Sequence, residues 1–212
     1  MLVLASASPR RKELLGTLVK EFAVCPADID ETPHEAEAAH DYVTRMALEK
    51  AQAVAMLYRQ NNNLLYQDQD STSKAKCNVI LASDTSVVVD GVVLGKPSSF
   101  DDAKRMLRLL SGRSHQVMTS LCLCYVDGDH VQLTNVVTDV SFRSISDVEI
   151  AQYWRTGEPQ DKAGAYAIQG LGAVFVSHLS GSYSAVVGLP LYETSQLLAL
   201  YGIHSLEEMS HE

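Results

Sequence analysis

The 212-residue sequence lacks the patterns that mark membrane, secreted and metal-rich proteins. No apolar run approaches the ~20 residues that a membrane helix needs, and the N-terminal run LVLA is too short for a signal peptide. The four cysteines form no CxxC pair and the seven histidines form no HxxH or HExxH pair, so we expect neither zinc nor a structural disulfide. We expect a cytoplasmic protein with reduced, buried thiols and no membrane partner.

Positive charge is also scarce. Lysine and arginine number 17 against 26 aspartates and glutamates, which gives a net charge of −9. General binding to nucleic acid needs a basic face, so nucleic acid is not an expected partner. The length and the 46% hydrophobic content suit one domain over residues 1–212, large enough for two lobes. Because the chain as a whole is acidic, a local cluster of arginine or lysine would indicate a binding site for an anion.

Helical and strand periodicities alternate along the chain. The predicted elements are strands at 2–4, 22–25 and 79–82, helices from Pro9, over 39–58, from Ser98 or Ser99, from Ser146 and over 191–201, a hairpin turning at Asp90-Gly91, antiparallel strands within 115–146, and a second hairpin within 173–190. Helices that alternate with long antiparallel strands predict the α/β class, with a mixed, twisted sheet and flanking helices.

One segment departs from these patterns. Residues 59–78, RQNNNLLYQDQDSTSKAKCN, are polar and rich in Asn, Gln, Asp and Ser. This composition is typical of a flexible surface insertion. Because the segment leads into the strand that starts at Val79, we expect it at the end of the sheet opposite any ligand cleft, with little effect on chemistry.

The opening stretch ASASPRR predicts an anion site. Ser8 suits the N-cap of a helix and Pro9 suits its first position, but these roles do not explain Arg10 and Arg11. Positive side chains oppose the helix dipole at this end. A bound phosphate would account for them, because free backbone N–H groups, the hydroxyls of Ser6 and Ser8 and arginine forks all bind phosphate oxygens. Two solvated surface arginines are the alternative.

The stretch LASDT predicts a second part of the same site. Asp84 is expected just past the end of a buried strand, where open α/β sheets place ligand-binding groups. A carboxylate there could hold Mg²⁺ or Mn²⁺, or orient a water molecule, although it could equally begin an ordinary turn. Thr85 could donate a hydrogen bond to a base or a phosphate.

Three further residues are candidates for the same cleft. Lys96, in LGKP, follows the hairpin and should return close to Asp84, where a compact positive charge suits phosphate. Lys50, on the long helix, is another possible phosphate contact. In the acidic run of Asp28, Asp30 and Glu31 one carboxylate could be a second metal ligand. Each of these residues could instead be an ordinary solvated side chain.

Eight stretches of the sequence, taken together and in order, indicate a resemblance to a known protein family. They occur in the order LASASPRRKELL, DIDET, ALEKAQA, LASDTSVVVDGVVLGKP, MLRLLSGRSHQVMT, TDVSFRSIS, DKAGAYAIQGLGAVFV and GSYSAVVGLPL. This ordered set resembles the Maf family over nearly the whole chain except residues 59–78. The resemblance implies a metal-dependent nucleoside triphosphate pyrophosphatase, similar in fold to the inosine triphosphatases, with a long mixed sheet and two lobes around a central cleft.

The resemblance also implies roles for residues. SPRR, SDT and IQG look like the branch of the family that acts on dTTP and UTP, whereas a sister branch acting on 7-methyl-GTP carries different residues at these places. Asp84 matches the family's proton acceptor. The specificity positions are matched by Arg11, Thr85 and Gln169. The triphosphate and metal site is matched by Ser6, Ser8, Arg10, Glu31, Lys50 and Lys96.

Alternatives stay open at this point. The same cleft could bind a nucleotide without turnover, as in a regulator of cell division, or could act on 7-methyl-GTP or a modified pyrimidine nucleotide. Asp84 could be the base that accepts a proton or a ligand of the metal. A homodimer is an expectation from the resemblance alone.

Overall fold

The computed structural model describes residues 1–65, 79–127 and 130–210. In chain order the elements are β1 (Leu2–Leu4), α1 (Pro9–Gly16), β2 (Ala23–Val24), α2 (Ala39–Leu65), β3 (Val79–Val89), β4 (Val92–Leu94), α3 (Phe100–Leu110), β5 (Ser114–Tyr125), β6 (Gln132–Phe142), α4 (Asp147–Arg155), 3₁₀ turns at Glu158–Asp161, Ala163–Ala165 and Leu171–Phe175, β7 (Val176–Ser180), α5 (Tyr183–Val187), α6 (Leu191–Leu200) and α7 (Ser205–Ser210).

The strands form one seven-stranded mixed sheet in the order β2-β1-β3-β5-β6-β7, with β4 paired to β3. β1 runs parallel to β2 and β3, whereas the pairs from β3 to β7 are antiparallel. This arrangement confirms the prediction of an α/β fold with a mixed sheet. Among the described residues, no helix combines the length and the apolar character that crossing a bilayer requires.

One edge of β3 is partly uncovered. Along its other edge β3 pairs with β5 from Val79 to Val88. On the open side, β1 pairs only with 79–81, and β4 only with 87–89. The stretch between them, 82–86, therefore has a strand on one side alone. This gap in the sheet contains Asp84 and Thr85.

The two faces of the sheet have different cores, because successive strand residues point to opposite faces. On one face Ile80 and Ala82 pack with α2 residues such as Ala47 and Val54. On the other face Leu81 packs with side chains of α1 and α6. A third apolar cluster lies farther along the sheet and includes Val87, α3 and α4.

Local signals predicted several elements correctly. Ser8 caps α1 by accepting a hydrogen bond from the Arg11 backbone N–H at 3.4 Å. Asp90 and Gly91 both have positive φ, as the predicted tight hairpin turn requires. Ser146 and Glu149 form the predicted capping box of α4. Cys122 and Cys124 are free and buried, as expected for reduced thiols.

Two predicted boundaries are wrong. β3 does not stop at Ala82 but continues through SDT to Val89, because β5 pairs with it over that stretch, so Asp84 lies within a strand and not past its end. Helix α2 continues to Leu65 rather than ending at Tyr58. Arg and Gln are good helix formers, and the Arg59 side chain donates a hydrogen bond to the carbonyl of Val126. Residues 59–65 of the predicted insertion are therefore helical, and 66–78 lie outside the described residues.

The predicted hairpin within 173–190 is also wrong. Its first arm is β7, but the second arm is the short helix α5. Ser182 caps that helix by accepting a hydrogen bond from the Ala185 N–H at 3.2 Å, and Gly188 follows it with a positive φ of 131°. Local capping therefore outweighs the β-branched composition of the segment.

Candidate active site

A cavity of about 740 Å³ opens at the gap along β3. All ten site residues predicted from the sequence line it: Ser6, Ser8, Arg10, Arg11, Glu31, Lys50, Asp84, Thr85, Lys96 and Gln169. Asp28 and Asp30, the other carboxylates of the acidic run, do not line it. Since Asp84 and Thr85 are neighbours in a strand, their side chains leave opposite faces of the sheet. The cavity therefore reaches both faces through the gap.

The ammonium of Lys50 joins two carboxylates on the α2 side of the sheet. Lys50 Nζ lies 2.7 Å from Asp84 Oδ1 and 2.6 Å from Glu31 Oε1. Lys50 and Asp84 are both buried. An ammonium has three protons, so one remains for a ligand in the cavity. In the described part of the chain Asp84 Oδ2 has no hydrogen bond, which leaves it able to accept a proton.

The charge of Glu31 is set by its neighbours. Burial alone would raise the pKa of this carboxyl, but the hydrogen bond from Lys50 and the charges of Lys50, Lys96 and Arg11 together hold its pKa below the ordinary value. Tyr42, which also lines the cavity, donates a hydrogen bond of 3.0 Å to the backbone carbonyl of Glu31. Glu31 is therefore an ionised and positioned group.

Arg45 fixes the loop that carries Glu31. Its guanidinium forms a two-pronged ion pair with Glu37, with Nε 2.6 Å from Oε1 and Nη2 2.7 Å from Oε2. Nη2 also donates to the backbone carbonyl of Thr32 at 3.2 Å. Such forked pairs have a defined geometry. The hydrogen bonds from Arg45 are the main reason that the pKa of Glu37 falls to about 2.

Arg11 organises the other side of the cavity. Its Nε donates to the Gly188 carbonyl at 2.9 Å, Nη1 donates to Ser6 Oγ at 3.3 Å and Nη2 donates to Thr85 Oγ1 at 3.2 Å. Burial lowers the pKa of this guanidinium, whereas Asp84 and Glu31 act to raise it. Arg11 thus connects the start of α1, the middle of β3 and the end of α5 around a retained positive charge.

Two more cations face the cavity with fewer partners. Arg10 and Lys96 line it, and in the described ranges neither forms a hydrogen bond or an ion pair. Lys162, which also lines the cavity, is paired with the adjacent Asp161. Arg10 and Lys96 are therefore positive groups available to an anionic ligand.

Gln169 lies on a loop that is fixed from behind by the buried Tyr153 and the half-buried Glu158. The Glu158 carboxylate accepts hydrogen bonds of 2.9 Å from the N–H groups of both Leu171 and Gly172, and one of 2.7 Å from the Tyr153 hydroxyl. That hydroxyl in turn accepts a 3.1 Å bond from the N–H of Ala167. Hydrogen bonds therefore fix the backbone before Gln169, at residue 167, and after it, at residues 171 and 172. The Gln169 side chain itself is exposed.

Sequence reasoning missed the residues that support these groups. Tyr42, Thr119 and Glu158 each hold a predicted site residue or its loop. A signal for Thr119 existed, because a threonine among the apolar residues of a strand needs a partner for its hydroxyl. No signal indicated which residue that partner is, since Thr85 and Thr119 meet only through the β3–β5 register.

The fold and the site define a class: an α/β protein whose sheet opens into a cleft lined by several cations and by two carboxylates, Asp84 and Glu31, that share the Lys50 ammonium. A cleft of this charge suits a phosphate-bearing molecule. The chain belongs to the Maf family, since the family model described as Maf-like protein matches residues 1–201.

Curated relatives cover nearly all of the chain. A dTTP/UTP pyrophosphatase of Pseudoalteromonas atlantica is 50% identical over 94% of this chain and 96% of that protein. The protein of the same description from Hahella chejuensis is 48% identical over 95% and 92%, and that from Vibrio parahaemolyticus is 50% identical over 93% and 95%.

Among solved structures, a nucleoside-triphosphatase described as a dITP/XTP pyrophosphatase, from Mycobacterium abscessus, aligns over 68% of this chain and 75% of that chain. The TM-score is 0.38 and the identity is 13%. A likeness of this degree carries no argument about activity.

Proposed function

We propose that this protein hydrolyses dTTP and UTP at the α–β phosphoanhydride and releases the nucleoside monophosphate and pyrophosphate. The observation that carries the proposal is the position of Asp84 beside Lys50 and Glu31 in a cleft that also holds Arg10, Arg11 and Lys96. The relatives named dTTP/UTP pyrophosphatase, at about half identity over almost the full length, support the choice of substrate.

The cations account for binding of the triphosphate. A triphosphate carries about four negative charges, and a protein with a net charge of −9 would repel it without local compensation. Arg10, Arg11, Lys50 and Lys96 supply that compensation within one cavity. The N–H groups at the start of α1 add donors for phosphate oxygens.

Asp84 is the group that we expect to accept the proton of the attacking water. Water attacks the α-phosphorus, its proton passes to Asp84 Oδ2, the bond from the α-phosphorus to the bridging oxygen breaks, and pyrophosphate leaves. The bond from Lys50 to Oδ1 holds the carboxylate in place during this transfer. Fixed positive charge near the leaving pyrophosphate stabilises the negative charge that develops there.

The donor set also suits a divalent cation. Two carboxylates that contact the same ammonium can approach a common ion, and Mg²⁺ is usually held by one or two carboxylates together with substrate phosphates. In the described ranges no group of three or more acidic, His or Cys side chains forms a closed site. In the alternative role of Asp84, as a metal ligand instead of the proton acceptor, this carboxylate and Glu31 would hold Mg²⁺ or Mn²⁺, which would supply further positive charge to the phosphate oxygens.

Gln169 is the candidate reader of the base. Its amide has both a donor and an acceptor, which match a carbonyl oxygen and the N3–H of uracil or thymine. Glu158 and Tyr153 fix the loop around Gln169, so the backbone position from which the amide extends is well defined. Gln169→Glu should change the ranking of bases and leave the cleavage position in the triphosphate unchanged.

A substrate panel tests the proposal. The purified full-length chain is incubated with Mg²⁺ or Mn²⁺ and each common or methylated nucleoside triphosphate, and the products are separated by ion-exchange chromatography. We expect UMP or dTMP together with pyrophosphate, fastest from UTP and dTTP. Absence of pyrophosphate, release of inorganic phosphate instead, or fastest cleavage of 7-methyl-GTP would overturn it. Gel filtration of the same sample tests the predicted homodimer.

A further inference from the structure

Ser86 has a buried hydroxyl that forms no hydrogen bond within the described part of the chain. The residue is 3% exposed and lines the cavity at the end of the gap in β3. The other hydroxyl-bearing side chains that line this cavity each form a hydrogen bond to another residue; they are Ser6, Ser8, Tyr42, Thr85 and Tyr166. Ser86 therefore differs from every one of them.

A buried hydroxyl without a partner is unusual, because buried polar atoms are nearly always hydrogen-bonded. Ser83, three residues earlier in the same strand, shows the usual arrangement, since its hydroxyl donates to the Gly188 carbonyl at 2.9 Å. No backbone or side-chain group in the described ranges does the same for Ser86. The partner of Ser86 therefore has to come from the contents of the cavity, as a substrate oxygen or as a water molecule.

The position of Ser86 relative to Asp84 favours water. The two residues are two apart in β3, so their side chains leave the same face of the sheet and their Cα atoms lie about 6.6–6.8 Å apart. A water molecule that hydrogen-bonds to two oxygens bridges a distance of up to roughly 5.5 Å. Because Lys50 contacts Asp84 through Oδ1, Oδ2 stays available. Asp84 and Ser86 can therefore hold one water between Oδ2 and Oγ.

A water held in this way has the orientation of a nucleophile. The ionised carboxylate of Asp84 can only accept hydrogen bonds, and the oxygen of Ser86 can accept one too. The water therefore directs one proton to each side chain, and its lone pairs face away from the strand into the cavity. The proton of Ser86 itself stays free to donate to a phosphate oxygen.

We propose that Ser86 is a catalytic residue that holds the attacking water together with Asp84. This role rests on the proposed function. The water oxygen bonds to the α-phosphorus while the proton on the Asp84 side passes to Oδ2. The bond from the α-phosphorus to the bridging oxygen breaks, and its electron pair leaves with pyrophosphate. The second proton of the water stays on the oxygen that joins the monophosphate, and Ser86 keeps its own proton.

The test measures kcat and KM for UTP in Ser86→Ala, in Asp84→Asn and in the double variant. Without the Ser86 hydroxyl the water has one partner fewer, so we expect kcat to fall about tenfold or more. KM should stay within about threefold of the wild type, because the cations that bind phosphate remain. The double variant should be no more than about threefold slower than Asp84→Asn alone, since both residues act on the same water.

Two further variants separate catalysis from structure. Ser86→Thr keeps the hydroxyl and should restore kcat to within about fivefold of the wild type. Thr194→Val is the matched control, because Thr194 is also buried with an unpartnered hydroxyl but lies on α6 outside the cavity. It should leave kcat unchanged. Since an unpartnered buried hydroxyl adds no stability, Tm of Ser86→Ala and of Thr194→Val should equal or exceed that of the wild type.

The outcomes separate the two proposals. A wild-type protein that forms no UMP and pyrophosphate from UTP contradicts the proposed function itself. If the wild type has that activity, a rise in KM without a fall in kcat would show that Ser86 binds phosphate and would overturn its role with water. Losses that multiply in the double variant, equal losses in Ser86→Ala and Ser86→Thr, or a lower Tm in Ser86→Ala would overturn that role as well.

Discussion

Asp84 and Thr85 are consecutive residues, yet the two faces of the sheet surround them with different chemistry. On the α2 face, Asp84 is bonded to an ammonium that also holds Glu31. On the opposite face, Thr85 is bonded to a neutral hydroxyl, with the guanidinium of Arg11 as the one charged partner among the contacts described for it. One side of β3 is a network of formal charges, and the other is a chain of directed hydrogen bonds.

This difference separates two tasks. A network of charges responds to pH, to a metal ion and to the charge of a triphosphate, and its strength depends on how many charges are present. Directional groups such as the Thr85 hydroxyl and the Arg11 guanidinium respond to the positions of hydrogen-bond donors and acceptors on the ligand. We expect changes on the Asp84 side to alter turnover with every nucleotide alike, and changes on the Thr85 side to alter the ranking of nucleotides.

Asp84→Asn should have the largest effect. The amide cannot accept the proton of water, so kcat should fall by roughly 10²–10⁴, the usual contribution of a positioned base. Binding of a non-hydrolysable UTP analogue, measured by calorimetry, should change by less than about threefold, since the cations remain. A variant whose residual activity ranks the nucleotides differently from the wild type would contradict the separation of tasks.

Lys50→Met should have the next largest effect. It leaves two carboxylates without their shared cation, and losing hydrogen bonds to charged groups costs about 1.5–3 kcal/mol, or roughly ten- to a hundredfold in kcat/KM. Because Lys50 lowers the pKa of Glu31, that pKa should rise in the variant and the acidic limb of the pH–rate profile should move to higher pH. Lys12→Met, at an exposed position of α1, is the control and should leave the profile in place.

Glu158→Gln should have a smaller effect, confined to the base. An amide accepts hydrogen bonds less strongly than a carboxylate, so the loop carrying Gln169 should loosen and KM for UTP should rise by about threefold to tenfold. Inhibition by pyrophosphate, which has no base, should be unchanged. Tyr153→Phe, which removes the other support of the loop, should give the same pattern. A matching rise in the inhibition constant of pyrophosphate would show that Glu158 supports the whole cleft.

Arg45→Met should have the smallest effect on activity, about twofold to fivefold in kcat/KM, because it acts on Glu31 through the loop. It should have a clear effect on acid stability. Glu37 has its pKa lowered to about 2 by Arg45, so its contribution to stability is present above pH ~4.5 and is lost as the pH falls toward 2. Thermal melting should show a Tm difference between wild type and variant at pH 7 that shrinks over this interval. A difference independent of pH would contradict this account.

The ten candidate site residues lie together, whereas some of the elements that carry them begin or end at other residues than the sequence indicated. Ser8 and Pro9, the Asp90-Gly91 turn and the Ser146–Glu149 box are local signals, so their elements could be placed without knowledge of the fold. The ten predicted residues come from separate motifs, yet all of them line one cavity. Residue chemistry had already assigned most of them to one anion site, and the family resemblance selected Glu31 from the acidic run and added Gln169.

The wrong prediction for the end of β3 has a physical cause that the neighbouring residues do not reveal. SDT interrupts an apolar run, which reads as the end of a strand, but Ser83 and Ser86 are buried. Ser83 is satisfied by donating to the Gly188 carbonyl at 2.9 Å, a residue 105 positions away. A polar residue whose partner lies so far along the chain cannot be told from a loop residue by its neighbours. The contact between Thr85 and Thr119 was hidden for the same reason.

The opening in the sheet has a simple origin in strand length. β1 is only three residues long, and β4 begins to pair at residue 87. If β1 continued by a further two or three residues, backbone would close most of the entrance without any substitution at Arg11, Asp84 or Thr85. The size of the cavity entrance therefore depends on where the chain leaves the sheet after β1, at Ser6 and Ser8. An insertion before Pro9 that prolonged β1 would abolish activity by blocking access to the cavity, although every reactive side chain would still be present.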